Sequence, residues 1–320
     1  MAKAVAEAAA IARHALPHAR QLVPALKSAK TTVMVVLTSL LVVRAGVETR
    51  QTPTAPEVAP ASVITVPSVA LGREQVATIL LPSGYARSAT HYPVLYLLHG
   101  GGQDHTAFAA RGWFGGLPSR NVIVVTPNAG ESWYVNSVSD PTARYEDFIV
   151  KDLIAHVDKN YRTIASRQGR AVAGVSMGAW GAMLLGLKHH QLFGAIGALS
   201  SPFGISRQDP DMDMTSRTQQ RFGAPGTPER RERDPGTLAT EIAPESLPLL
   251  FLACGSQDLF VRDNRAFVQR LAERKLPYEY REVSPFGHSW DVWDVQIVQF
   301  IEMMSARWSP NRPAPQALAR

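Results

Sequence analysis

The pentapeptide Gly174-Val175-Ser176-Met177-Gly178 constrains this chain more than any other segment. It reads G-x-S-x-G, the sharp turn that lifts a serine hydroxyl off the end of a buried strand. Before it, Arg170-Ala171-Val172-Ala173 is short, apolar and opened by a charge, as a covered strand would be. After it, Ala179 to His190 has the length and the Ala/Leu/Met content of a helix. The two glycines are needed because a side chain at either position would crowd the turn. A strand–turn–helix of this kind implies an α/β architecture with Ser176 as a candidate nucleophile.

A serine hydroxyl attacks only when a base takes its proton, and histidine is the usual base. His14 and His18 lie in the N-terminal segment, His156 falls mid-helix, and His189 and His190 end the helix after the elbow, where histidine commonly caps carbonyls. His288 stands in Ser284-Pro285-Phe286-Gly287-His288-Ser289-Trp290, between a strand-like 278–283 and a helical 290–308. Hydrolases with this elbow place the histidine in the loop after the last strand and the acid between serine and histidine. The apolar run 247–255 ends in a glycine, and Ser256-Gln257-Asp258 follows directly. Asp258 is the favoured acid. Asp263 is its rival, although an aspartate at a helix start often serves only as an N-terminal charge. Pro93-Val94-Leu95-Tyr96-Leu97-Leu98 is another buried strand, and His99-Gly100-Gly101-Gly102 follows it. Such a run lets backbone N–H groups approach an ester carbonyl, with Met177 as the second donor. The expected oxyanion hole is therefore an N–H of this run with that of Met177.

These segments resemble the putative-esterase branch of the α/β-hydrolases, which holds tributyrin-type esterases, esterase D, feruloyl esterases and mycolyltransferases. The resemblance runs over about 62–308. It is carried by Leu97-Leu98-His99-Gly100-Gly101, Ser132-Trp133-Tyr134, Arg144-Tyr145-Glu146-Asp147-Phe148-Ile149, the elbow through Ala182, Phe193-Gly194, Cys254-Gly255-Ser256-Gln257-Asp258 and Gly287-His288-Ser289-Trp290. The tributyrin-type esterases usually continue the elbow as Ser-Met-Gly-Gly, where this chain has Ala179. The resemblance implies the α/β-hydrolase fold, a mostly parallel central sheet with helices on both faces. It also implies the triad Ser176, Asp258 and His288, and the hole Gly101 and Met177. The expected activity is serine carboxylic-ester hydrolysis of small acyl or aromatic-acyl esters, without cofactor or metal. The alternatives are acyl transfer of the mycolyltransferase type, or a non-catalytic binding module on the same scaffold. Trp133 and Tyr134, and less directly Trp113 and Phe114, are candidates to line a substrate pocket. The segment 201–243, rich in Arg, Asp and Pro, is expected to be a loop covering part of the site.

The net charge of +6 over 320 residues is unevenly placed. Seven of the 33 basic residues and only Glu7 and Glu48 of the 27 acidic ones precede residue 51, leaving 26 basic against 25 acidic in the rest. The folded part is near neutral and carries no basic patch interleaved with aromatics, so nucleic acid is not an expected partner; the expected partner is a small-molecule ester. Cys254, the lone cysteine, has no intrachain disulfide partner, and no Cys/His metal spacing occurs. The sequence sets no oligomeric state.

Val33 to Val43 is an apolar run after Lys27 and Lys30. It suits a signal-peptide core and is short for a membrane span of about 20 residues. Three readings of 1–50 stay open: a cleaved signal with its mature end after Val43, an uncleaved anchor, or an amphipathic extension. No stable span is expected in the mature protein. A secreted or periplasmic location is expected, with cytoplasmic or membrane-anchored as the alternative. Residues 51–61 read as a Pro-rich linker, 62–308 as the esterase domain and 309–320 as a disordered tail. Within the domain, strands are predicted at 62–69, 75–81, 93–98, 121–126, 170–175, 195–200, 248–254 and 278–283. Helices are predicted at 145–160, 177–190, 262–275 and 290–308. The first strands follow one another without a helix, which predicts an antiparallel edge on a mostly parallel sheet.

Overall fold

The computed structural model describes residues 61–205 and 215–308. The expectations for residues 1–60 and for the tail 309–320 lie outside the described residues.

Eight strands form one sheet: β1 (Ser62–Ser68), β2 (Arg73–Leu80), β3 (Val94–Leu98), β4 (Ile123–Pro127), β5 (Arg170–Val175), β6 (Ala195–Leu199), β7 (Leu249–Gly255) and β8 (Glu279–Val283). Their spatial order is β1-β2-β4-β3-β5-β6-β7-β8. The β1–β2 and β2–β4 pairs are antiparallel, and the pairs from β4 to β8 are parallel. Every predicted strand is present, and the antiparallel edge sits where the two closely spaced first strands placed it.

The helices are α1 (Tyr145–Asp147), which runs through a π-helical turn (Phe148–Leu153) into α2 (Ile154–Asn160), then α3 (Met177–Lys188), α4 (Thr215–Phe222), α5 (Pro228–Arg231), α6 (Pro235–Glu241), α7 (Val261–Glu273) and α8 (Trp290–Trp308). They cover both faces of the sheet, so the central strands are apolar throughout rather than alternating. On β3, Val94, Tyr96 and Leu98 join the core under α1, α2, α3 and α7, while Leu95 and Leu97 join the core under α8. This is the α/β-hydrolase fold. Among the described residues no helix is long and apolar enough to cross a membrane.

The segment expected to be a covering loop is instead folded where it is described. Thr227 caps α5 through Arg230 N–H, and Asp234 caps α6 through Gly236 and Thr237 N–H, each followed by a proline in the first turn. Phe222 at the end of α4 packs on Trp133 and Trp180.

Helix α3 is buried from Met177 through Leu187. Its far end is fixed by an ion cluster: buried Glu146 accepts from Lys188 Nζ at 3.0 Å and from His189 Nε2 at 2.8 Å. His189 thus pairs with a carboxylate, where a carbonyl cap was expected. Burial pushes the Glu146 carboxyl up, but His189 and Lys188 outweigh it and hold the group below its ordinary value. A depressed carboxyl stabilises the fold above its unfolded pKa, about 4.3 for Glu, and loses that contribution as pH falls through the folded value. Glu146→Gln is therefore expected to cost about 1–3 kcal/mol at pH 7, since it leaves the partly buried Lys188 ammonium without a counter-charge. Thermal melts should show the gap to wild type closing as pH drops below about 4. A gap that is constant from pH 7 to pH 3 would contradict this assignment.

Candidate active site

The elbow forms because β5 must stop and α3 must start within one residue. Ser176 has φ 55° and ψ −119°, a left-handed conformation that costs a non-glycine residue on the order of 1–3 kcal/mol. Neighbouring bonds hold it there. Ser176 N–H donates to Leu199 O at 2.9 Å, and its own carbonyl accepts from Ala179 and Trp180 N–H. The flanking glycines have the steric reason expected of them. A Cβ on Gly178 would lie 2.1 Å from Leu98 O, and one on Gly174 2.4 Å from the Gly178 carbonyl. The serine therefore stands above the sheet at the N-terminus of a twelve-residue helix.

His288 comes to it from the loop after β8. Its Nε2 is 3.0 Å from Ser176 Oγ, and its Nδ1 is 3.0 and 3.1 Å from the two oxygens of Asp258. A carboxylate only accepts, so Nδ1 is assigned the proton and Nε2 is left to accept from the serine hydroxyl. The acid and histidine loops are tied together, with Gln257 N–H donating to Phe286 O at 2.9 Å and Ser256 N–H to Val283 O at 2.9 Å. Asp258 has a fully buried side chain, whereas that of His288 is 21% exposed, so the imidazole alone meets solvent. Burial pushes the Asp258 carboxyl up; bonds from His288, Phe260 N–H and Ser200 outweigh this and hold it below its ordinary value. Asp263 is elsewhere, accepting from Gly204 N–H at 2.9 Å in the first turn of α7.

The glycine run after β3 passes alongside the serine, since a Cβ on Gly100 would come within 3.4 Å of Ser176 Cβ. Gly100 N–H is taken by Gln103 Oε1 and Gly102 N–H by Glu131. The N–H groups of Gly101 and Met177 find no acceptor among the described residues. The Met177 amide also lies at the positive end of the α3 dipole.

Several contributors were not nominated from the sequence. Ser200, buried just after β6 with φ 55°, accepts from Trp293 Nε1 at 2.9 Å, and its hydroxyl helps to hold the Asp258 carboxyl low. Trp293 and Phe260 pack edge-on to the His288 ring at 4.8 and 5.0 Å. His99 is fully buried; its Nδ1–H donates to Gly100 O at 2.8 Å and its Nε2 accepts from Ala129 N–H at 3.1 Å. Burial lowers the His99 pKa, which keeps this brace neutral. The glycine run beside His99 was the one signal in the sequence that marked it.

The aromatic pocket candidates are corrected. Tyr134 is fully buried, with its hydroxyl donating to His99 O at 2.9 Å. Trp133 is 7% exposed and packs on Trp180 and Phe222. Both have positive φ, which turns their rings into the core. Phe114 is also buried, and Trp113 donates through Nε1 to Asp294 at 2.7 Å. Two clefts flank the glycine run: one of about 310 Å³ includes Glu131, Ser132, Ser139 and Arg221, and one of about 330 Å³ runs from Gly102 to Arg111 and Trp290. Among the described residues no cluster of three or more His, Cys, Asp or Glu could hold a metal ion.

A family model described as putative esterase matches residues 68–304. The chain is 30% identical over 244 residues to an esterase of Mycobacterium tuberculosis, covering 68% of this chain and 53% of that protein; it thus spans about half the length of that relative. Among solved structures, a ferulic acid esterase superposes with a TM-score of 0.67 at 26% identity, over 78% of this chain and 98% of that one. A fluorophosphonate-binding serine hydrolase of Staphylococcus aureus superposes with a TM-score of 0.68 at 24% identity, over 77% and 99%, a likeness of fold. The family match begins at the last residue of β1, ends inside α8 and encloses the serine, the histidine and the glycine run, so the chain belongs to the putative esterase family.

Proposed function

We propose that this protein is a serine esterase that hydrolyses small acyl or aromatic-acyl carboxylic esters through an acyl-enzyme. One observation carries the reading: an unbroken hydrogen-bonded chain from buried Asp258 through His288 to Ser176, beside two backbone amides without acceptors among the described residues. In the proposed mechanism Ser176 Oγ attacks the ester carbonyl carbon as His288 Nε2 takes its proton. The Gly101 and Met177 amides receive the oxyanion of the tetrahedral intermediate. Asp258 steadies the imidazolium, which then gives the proton to the departing alkoxide. Water, activated by the same Nε2, attacks the acyl-Ser176 ester and releases the acid. The ferulic acid esterase likeness supports an aromatic acyl group among the substrates.

The test is a p-nitrophenyl ester panel, acetyl to long-chain and feruloyl, with titration by an organophosphonate. One equivalent should label Ser176 and abolish turnover. A protein that stays unlabelled and turns over no ester would be a binding module instead. Ester products formed with an added alcohol would mark acyl transfer.

Every group assigned here lies between residues 99 and 293, so the N-terminal 50 residues are proposed to act on location rather than on chemistry. A chain lacking residues 1–50 is expected to keep near-full turnover of p-nitrophenyl acetate. The whole protein is expected outside the cytoplasm, as fractionation and N-terminal sequencing would show. Inactivation by this truncation would make the segment part of the fold.

A further inference from the structure

Consecutive glycines have no side chains to restrain them, so hydrogen bonds must set the orientation of each peptide plane in the run 100–102. The plane that carries Gly101 N–H also carries Gly100 C=O. That carbonyl accepts from His99 Nδ1 at 2.8 Å and from Gln103 N–H at 3.3 Å. The next plane carries Gly102 N–H, and Glu131 holds it. Glu131 comes from the loop after β4, which is itself anchored to the run by His99 to Ala129 N–H and by Tyr134 to His99 O. Those two anchors are neutral and buried. Glu131 is exposed and charged, and its carboxylate lies along the run, with Oε2 3.4 Å from where a Gly101 Cβ would be. Gly102 has φ +71°, a conformation that glycine adopts without strain and that no side chain of its own fixes.

We propose that Glu131 is a positioning residue of the oxyanion hole: its carboxylate grips Gly102 N–H, fixes the plane beside Gly101 and so keeps the Gly101 amide aimed at the reacting carbonyl. This rests on the esterase reading. An ionised acceptor suits the task because charge-assisted hydrogen bonds are roughly twice as strong as neutral ones. The carboxylate does no chemistry itself, since its bond is to backbone.

Two variants separate the grip from its charge. Glu131→Ala removes the acceptor, while Glu131→Gln keeps an oxygen in place. For Glu131→Ala, kcat on p-nitrophenyl acetate is expected to fall about 10- to 100-fold with KM within about threefold, because an oxyanion donor acts mainly in the transition state. Affinity for phenylboronic acid, which forms a tetrahedral adduct on the serine, should fall by a similar factor. Glu131→Gln should stay within about threefold of wild type in both measurements, since a neutral oxygen still accepts. Melting curves of the two variants should match, as the residue is exposed. Wild-type kcat and boronate affinity in Glu131→Ala would overturn the proposal, and so would a Glu131→Gln variant as impaired as Glu131→Ala. An absence of wild-type ester turnover would sink the esterase reading and this inference with it. Normal wild-type turnover with an unaffected Glu131→Ala sinks the inference alone.

Discussion

Ser176→Ala is expected to lower ester turnover by roughly four or more orders of magnitude without unfolding the protein. The substitution removes one oxygen. It keeps the Cβ, so the elbow's left-handed φ of 55° is no harder for alanine than for serine. The backbone bonds that hold the turn, from Ser176 N–H to Leu199 O and from Ala179 and Trp180 N–H to the residue 176 carbonyl, do not involve the side chain. The melting temperature should therefore stay near that of wild type. What disappears is the nucleophile, and with it the hydroxyl donor that the Nε2 face of His288 was arranged to deprotonate. The amides of Gly101 and Met177 remain, so a small residual rate over water is expected from the hole and from binding. A folded variant that kept a tenth of wild-type turnover would show that Ser176 is not the nucleophile.

How much of this arrangement the sequence reveals depends on how local each feature is. Strands covered on both faces read as short apolar runs ended by turn residues, and β5 and α8 occupy the spans predicted for them. Ser176, Asp258 and His288 can be picked out because each follows a strand end in a fixed order, which the chain itself displays. The helices of 215–241 were missed because they are short. Thr227-Pro228 and Asp234-Pro235 nonetheless carry the cap-then-proline signal that marks a helix start. Trp133 and Tyr134 misled because an aromatic in a turn beside the site reads as a pocket wall until its backbone angle is known. Their positive φ sends both rings inward. The bracing layer was out of reach for a different reason. Ser200 meets Trp293 across 93 positions of sequence, and His99 meets Ala129 across 30. No local pattern encodes those contacts; they arise only when parallel strands bring their ends together.

The choice between the two candidate acids has an equally sharp outcome. Asp258→Asn is expected to cost about 10⁴ in turnover, and Asp263→Asn less than about threefold. An asparagine at 258 has one oxygen and one NH₂ where the aspartate had two acceptors. The oxygen belongs where Oδ1 accepts from Phe260 N–H at 2.8 Å. That puts the NH₂ in the place of Oδ2, 3.0 Å from His288 Nδ1. Nδ1 must then accept, the ring proton moves to Nε2, and the nitrogen facing Ser176 can no longer take a proton. Flipping the amide sets its NH₂ against Phe260 N–H, donor against donor, so the wrong tautomer is the cheaper state. Asp263 faces a different demand. Its carboxylate accepts from Gly204 N–H at the start of α7, and asparagine keeps an oxygen for that bond. Measured side by side on p-nitrophenyl acetate, the two variants should differ by about three orders of magnitude or more, with melting temperatures close together. The reverse ranking would move the acid to Asp263 and would require the imidazole to swing away from the carboxylate it now faces.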